Sequence, residues 1–236
     1  MLGATLAGAL VGALVLGAVA ALAGIAWLGV LLGAALAAVA VTWVVRTTPS
    51  RVLGAVGARP NPAGEQPRLR NLVDGLCVSN GLPVPQLSAV SSPGLNCMAV
   101  GRTPDHTTLV VTDAMLEQLD RIELEGVVAR QLAQVKHGQV HLATVLVPLA
   151  AVAPGLVARA LPDRYDLRAD LEAVVLTRYP PGLAAALDKA RVAGGDAPAT
   201  RSTSHLWFAD PSPSGGESPV IAHSPIDERI ETLQEL

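Results

Sequence analysis

The sequence predicts an α+β fold, mostly helical, in which a domain with a small β-sheet follows an N-terminal transmembrane helical hairpin. Three observations lead there. Residues 1–45 carry no charged side chain. A β-branched run at 107–112 (TTLVVT) interrupts a chain that otherwise reads as amphipathic helices. Half of the residues are hydrophobic and only 16% are charged, with mean hydropathy +0.43, well to the apolar side of a soluble protein.

The hairpin comes first. One bilayer crossing needs about 20 apolar residues, so 1–45 suffices for two, with Gly24 at the turn. A single tilted span is the alternative. A signal peptide fits poorly, because no positive region precedes an apolar run far too long for one. Arg46, Arg51, Arg59, Arg68 and Arg70 follow directly and place that side in the cytoplasm, with Trp43 as an interfacial anchor. Residues 46–68 read as a basic juxtamembrane linker, Pro-rich at 60–66, and 69–236 as the second domain.

Within that domain 69–80 reads as a helix with Leu69, Leu72, Val73 and Leu76 on one face and Gly81 as its C-terminal stop. Short strands follow at 86–90 and 96–100, then the 107–112 strand after the turn RTPDH. Thr112 and Asp113 cap a helix at 114–119, and Asp120 opens a longer one through about His137. Residues 141–161 form a second apolar stretch, bent at Pro148 and Pro154, that reads as a membrane-lying or re-entrant hairpin or as a buried helix pair. Helices are expected at 164–177, 180–193 and 227–236, a strand at 203–208, and loops at 194–202 and 211–218.

The net charge of −3 offers no basic footprint for nucleic acid. Aromatic residues are 3% of the chain, so the core must be built from Ala, Val and Leu. Cys77 and Cys97 stand in no metal or redox spacing and read as buried free thiols.

From residue 69 onward several segments stand in one recognisable order: GLPVPQLSAV, NCMAVGR, TTLVVTDAMLEQLDRIELEGVVARQLAQVKHGQ, DLRADLEAVVLT, STSHLWFADP and HSPIDERIETLQEL. Together they resemble the HtpX-like membrane zinc metallopeptidases, relatives of the CAAX prenyl endopeptidases. The resemblance implies a zincin-like metallopeptidase domain of the gluzincin type. In that family a helix carries H-E-x-x-H, whose two His bind zinc while the Glu serves as general base. Here that register reads Arg130, Gln131, Leu132, Ala133, Gln134. Arginine stays protonated and cannot ligate zinc. The Gln134 amide is a poor zinc ligand, and Gln131 cannot take a proton from water. The third ligand position holds Asp166, one methylene shorter than the family's Glu, four residues before Asp170. Asp170 and Gln139 are read as remnants of the ligands' supporting shell.

Removing a zinc strands a carboxylate, and Arg130 is expected to answer Asp166 with a bidentate pair. His137 and His141, four apart, are the one alternative zinc pair; otherwise no cofactor is expected. The resemblance places His205, His223 and Arg229 in the family's C-terminal signature, Arg229 in a structural role. Asn96, Cys97, Met98, Ala99 and Val100 are expected to form an edge that could accept a peptide by strand addition. The expectation is therefore an inactive relative, a pseudoprotease serving as a binding, scaffold or accessory subunit. It would sit multi-pass in the cell membrane, its domain on the cytoplasmic side, with the bilayer and other integral membrane proteins as partners. An active zinc endopeptidase of protein quality control with a non-standard ligand set is the alternative.

Overall fold

The computed structural model describes residues 11, 12, 15, 26–60, 66–160, 164–211 and 223–236. Most of the first crossing of the expected hairpin, the Gly24 turn, most of the linker at 60–66 and most of the loop at 211–218 lie outside the described residues. The chain divides into two compact units, Met1–Pro49 and Ser50–Leu236.

Helix α1, Ala26–Ala55, is 30 residues long and is long and apolar enough to cross a membrane. It runs through Arg46, Pro49 and Arg51 into the stretch expected as a linker. The hydroxyls of Thr47 and Thr48 donate back to the carbonyls of Trp43 and Val44 at 2.9 and 2.8 Å, so both threonines remain satisfied within the helix.

In the second unit, β1 (Arg59–Pro60), β2 (Gln86–Val90), β3 (Cys97–Gly101) and β4 (Thr107–Thr112) form one mixed sheet in the order β1-β2-β4-β3. β2 runs parallel to β4, pairing Leu87 with Leu109, and β3 runs antiparallel, pairing Cys97 with Val111. β3 and β4 are buried at every position because both faces of the sheet are covered. Leu87, Cys97, Leu109 and Val111 join one core with helices α2 (Pro67–Asn80), α4 (Arg121–Lys136), α8 (Pro180–Ala193) and α9 (Ile226–Gln234). Met98, Val100 and Val110 join the other, with Ala143, Val147 and Trp207. Short α3 (Asp113–Gln118) links β4 to α4.

Beyond α4 come α5 (Gln139–Ala150), α6 (Pro154–Ala160) and α7 (Tyr165–Thr177). The strand expected at 203–208 is instead a 3-10 turn at Ser204–Leu206 and a single bridge from Trp207 to Met98. Its aromatic and β-branched composition suits a strand, but here the side chains serve as plugs between layers.

Candidate functional site

Helix α4 is the spine of the site. Asp120 caps it by accepting from the amides of Ile122 and Glu123 at 2.8 and 2.9 Å, while the Glu123 carboxylate accepts from the Asp120 amide at 2.8 Å. Its middle is enclosed on every side, so Arg130, Gln131 and Gln134 are all buried. Helix α7 packs against it. Asp166 and Asp170 lie one turn apart, on the face of α7 that meets α4.

The side chain of Arg130 fills the space between the helices. Its Nη2 donates to Asp166 Oδ1 at 2.6 Å and its Nε to Asp170 Oδ1 at 2.8 Å. The expected pairing with Asp166 is present, and one guanidinium bridges both carboxylates rather than gripping one. Arg229, on α9, makes the bidentate contact instead, reaching Asp170 Oδ2 and Oδ1 at 2.6 and 2.9 Å. Its Nη1 donates to the Phe208 carbonyl at 2.9 Å. The Phe208 ring lies 5.3 Å from the Arg130 guanidinium carbon and 5.1 Å from that of Arg229, near enough for cation–π attraction to both. Phe208 was not singled out from the sequence, although it is the chain's sole phenylalanine.

His223 completes the cluster. Its Nδ1 stands 3.0 Å from Asp166 Oδ2 and its Nε2 stands 3.1 Å from the Ser204 carbonyl. Both partners only accept, so both ring nitrogens must donate and the ring is an imidazolium. The Ser224 amide also donates to Asp166 Oδ2, at 3.1 Å. Burial pushes the Asp166 carboxyl up, but His223, Arg229 and Arg130 outweigh it and hold it well below the usual carboxylate range. Burial likewise pushes His223 down, and Asp166 more than reverses that. Three cations thus surround two carboxylates.

The Gln131 amide donates to Cys97 Sγ at 3.3 Å, and its oxygen is buried without a partner. Burial pushes the Cys97 thiol up to about 12, with Arg130 opposing, so it is no thiolate. Asp166 and Asp170 are committed to the arginines and the imidazolium. This donor set does not fit zinc: Arg130 is a cation, Gln131 and Gln134 offer only neutral amides, and the two carboxylates are already neutralised. Among the described residues no three His, Cys, Asp or Glu side chains come together as a metal site.

His137 and His141 do not share a helix face. Gly138, at φ +72°, ends α4 and opens α5 between them. His137 turns to Glu172 at 3.0 Å, whereas His141 lies 3.5 Å from the Thr107 hydroxyl. Gln139 opens α5, half-buried. Burial holds His205 down to about 4, its Nε2 bonding the Ala143 carbonyl at 3.0 Å.

The β3 edge also differs from expectation. Asn96, Cys97, Met98, Ala99 and Val100 are all buried, and the chain's own 207–209 segment lies along them. Phe208 donates its amide to the Cys97 carbonyl at 2.8 Å. The Asn96 side chain accepts from the amides of Phe208 and Ala209 at 3.0 and 3.1 Å and donates to the carbonyls of Gly195 and Ala209 at 2.6 and 2.9 Å. A cleft of about 280 Å³ remains beside the cluster, where His223, Ser224 and Arg229 face Gly195 and Asp210.

No family model matches the chain. Among curated proteins it is similar to the protease HtpX homolog of Tropheryma whipplei (strain Twist), at 31% identity over 76% of each chain. It is also similar to the protease HtpX homologs of Dictyoglomus thermophilum, at 30% over 75% of this chain and 72% of that one, and of Salinibacter ruber, at 30% over 79% and 80%.

Proposed function

This chain belongs to the HtpX protease family, and within that family we propose that it is a non-catalytic member, a membrane-anchored binding or accessory subunit built on a zincin-like domain. One observation carries the reading. The guanidinium of Arg130, at the position the resemblance assigns to the first zinc ligand, stands buried and bonded to Asp166 at 2.6 Å and Asp170 at 2.8 Å. A fixed organic cation there supplies the neutralising charge that a metal would otherwise bring, but it polarises no water and holds no nucleophile. Gln131 offers no basic atom in the base position.

The apolar first part of α1 and the arginines that follow it support a protein of the cell membrane with its domain on the cytoplasmic side, and the uncharged length of residues 1–45 supports a multi-pass one. A partner bound by strand addition at β3 would have to displace residues 207–209, so the cleft beside His223 and the apolar α1 are the better surfaces for other integral membrane proteins.

A second reading, an active zinc endopeptidase with a non-standard ligand set, is favoured only by the names of relatives at about 30% identity. Elemental mass spectrometry on detergent-purified protein, after dialysis against a mild chelator, separates the two. Far less than one zinc per chain, with no cleavage of an unfolded model substrate, is the expected result. About one zinc per chain would overturn the proposal.

A further inference from the structure

A cavity of about 590 Å³ opens within the second unit and shares no residue with the Arg130 cluster. Five polar side chains line it: Ser50 on α1, Arg70 on α2, Gln86 and Ser88 on β2, and Thr108 on β4. The strand pairing brings three of them together. Gln86 stands beside Thr108 in the parallel ladder and Ser88 is two residues farther along, so all three point to one face of the sheet. On that same face Val90 and Val110 are core residues. The face turns from apolar to polar where the cavity begins.

Ser88 and Thr108 are only 7% and 8% exposed. Even so, none of the five side chains makes a hydrogen bond or ion pair among the described residues. Burying a polar group unpaired is costly, so a converging set of them marks a place for a polar ligand. The chemistry of the described lining selects that ligand. Its one charged group is a guanidinium, which suits a single phosphate rather than a di- or triphosphate. No carboxylate stands there to repel an anion, and no aromatic ring offers a nucleobase a face to stack on. The three hydroxyls and the amide both donate and accept, which matches the hydroxyls of a polyol.

We propose that this cavity binds a glycerol phosphate group, with Arg70 on the phosphate and the four neutral side chains on the glycerol oxygens. Its volume lies within the roughly 300–1,000 Å³ of small-ligand sites. Two sources carry that group, a soluble glycerophosphate and the headgroup of phosphatidylglycerol. The lipid source enters because Ser50 follows the last residue of the uncharged run, Val45, by five positions. Zinc content and proteolytic inactivity leave this site untouched, since the Arg130 cluster takes no part in it.

The test uses the full chain, delipidated in detergent. Glycerol 3-phosphate is titrated by calorimetry, and phosphatidylglycerol or phosphatidylcholine is added before native mass spectrometry. Saturable one-to-one binding of glycerol 3-phosphate, or retention of one phosphatidylglycerol in preference to phosphatidylcholine, is the expected result. The first identifies a soluble ligand, and the second without the first identifies a lipid headgroup. Arg70→Gln should weaken the binding about tenfold or more, because a charge-assisted hydrogen bond is lost. Thr108→Val keeps the β-branched shape and should also weaken binding. It should leave the Tm of the unliganded chain no lower, because the hydroxyl it removes has no partner among the described residues. Binding of neither probe, or binding that either variant leaves unchanged, would overturn the proposal. So would a lower Tm for unliganded Thr108→Val, which would mean that the hydroxyl already serves the fold.

Discussion

Arg130 is the residue on which the site turns. It is 1% exposed, and among the described residues its charge is balanced by Asp166 and Asp170. Replacing it with alanine leaves both carboxylates buried with fewer donors. His223 and Arg229 still answer them, so the loss should fall near the lower end of what breaking a buried pair costs, about 3 kcal/mol. Thermal unfolding in detergent should show it as a clear drop in Tm, and Asp166→Asn in the Arg130→Ala background should cost less than it does alone. Equal costs in both backgrounds would mean the two side chains are not coupled. Much of this site was legible in advance, since Arg130, Gln131, Gln134 and Asp166 follow from aligning one helix and one short motif. What stayed hidden was the company each residue keeps. Sequence spacing puts Asp166 and Asp170 on one helix face, but it cannot say that a side chain 40 positions earlier bridges both, or that His223 closes the far side.

At the scale of elements, α4 and α8 approach closely because each brings a glycine to the crossing. A Cβ on Gly126 would come within 2.7 Å of the Leu183 backbone nitrogen, and one on Gly182 within 2.8 Å of the Ile122 carbonyl oxygen. Gly126→Ala gains about 1 kcal/mol in helix propensity and should lose about 1–3 kcal/mol to overpacking. Gly75→Ala on α2, where nothing lies within 4 Å, keeps only the gain. Opposite shifts in Tm for the two variants are expected, and a rise for both would mean the crossing relaxes freely. The helices and β4 were readable because their caps and periodicities are local: Thr112, Asp120 and Gly81 all act within a few residues of where they stand. The 203–208 segment was not, because its shape is set by Asn96 and by the cores above and below it, about 110 residues away in sequence. The His137 and His141 pair failed for a local reason, the left-handed backbone at Gly138.

The stability of the whole molecule should depend on pH from both sides. Burial holds His205 down to about 4 against an ordinary 6.5. Between those values the unfolded chain binds the extra proton, so the contribution is present above about pH 6.5 and is lost as pH falls toward about 4. The shift corresponds to about 3 kcal/mol as an upper figure. Asp166, held below the carboxylate range, adds a further loss at lower pH. His223 acts in the opposite sense: its raised value contributes in acid and is lost as pH rises through it. Unfolding followed across pH 4 to 9 should give a maximum near neutrality, and His205→Gln should flatten the limb between about pH 4 and 6.5. A limb unchanged by that substitution would remove His205 from the account.

Asn96 and the 207–209 segment have a consequence for self-association. A strand at the margin of a sheet normally exposes a ladder of unpaired amides and carbonyls that another copy can zip onto. Here β3, buried at every position, carries a strip of its own chain along that margin, pinned by one asparagine. A crowded or partly unfolded population of this protein therefore lacks that seed for intermolecular β-structure so long as Asn96 holds, and the asparagine acts as a guard against fibril growth as much as a piece of the fold.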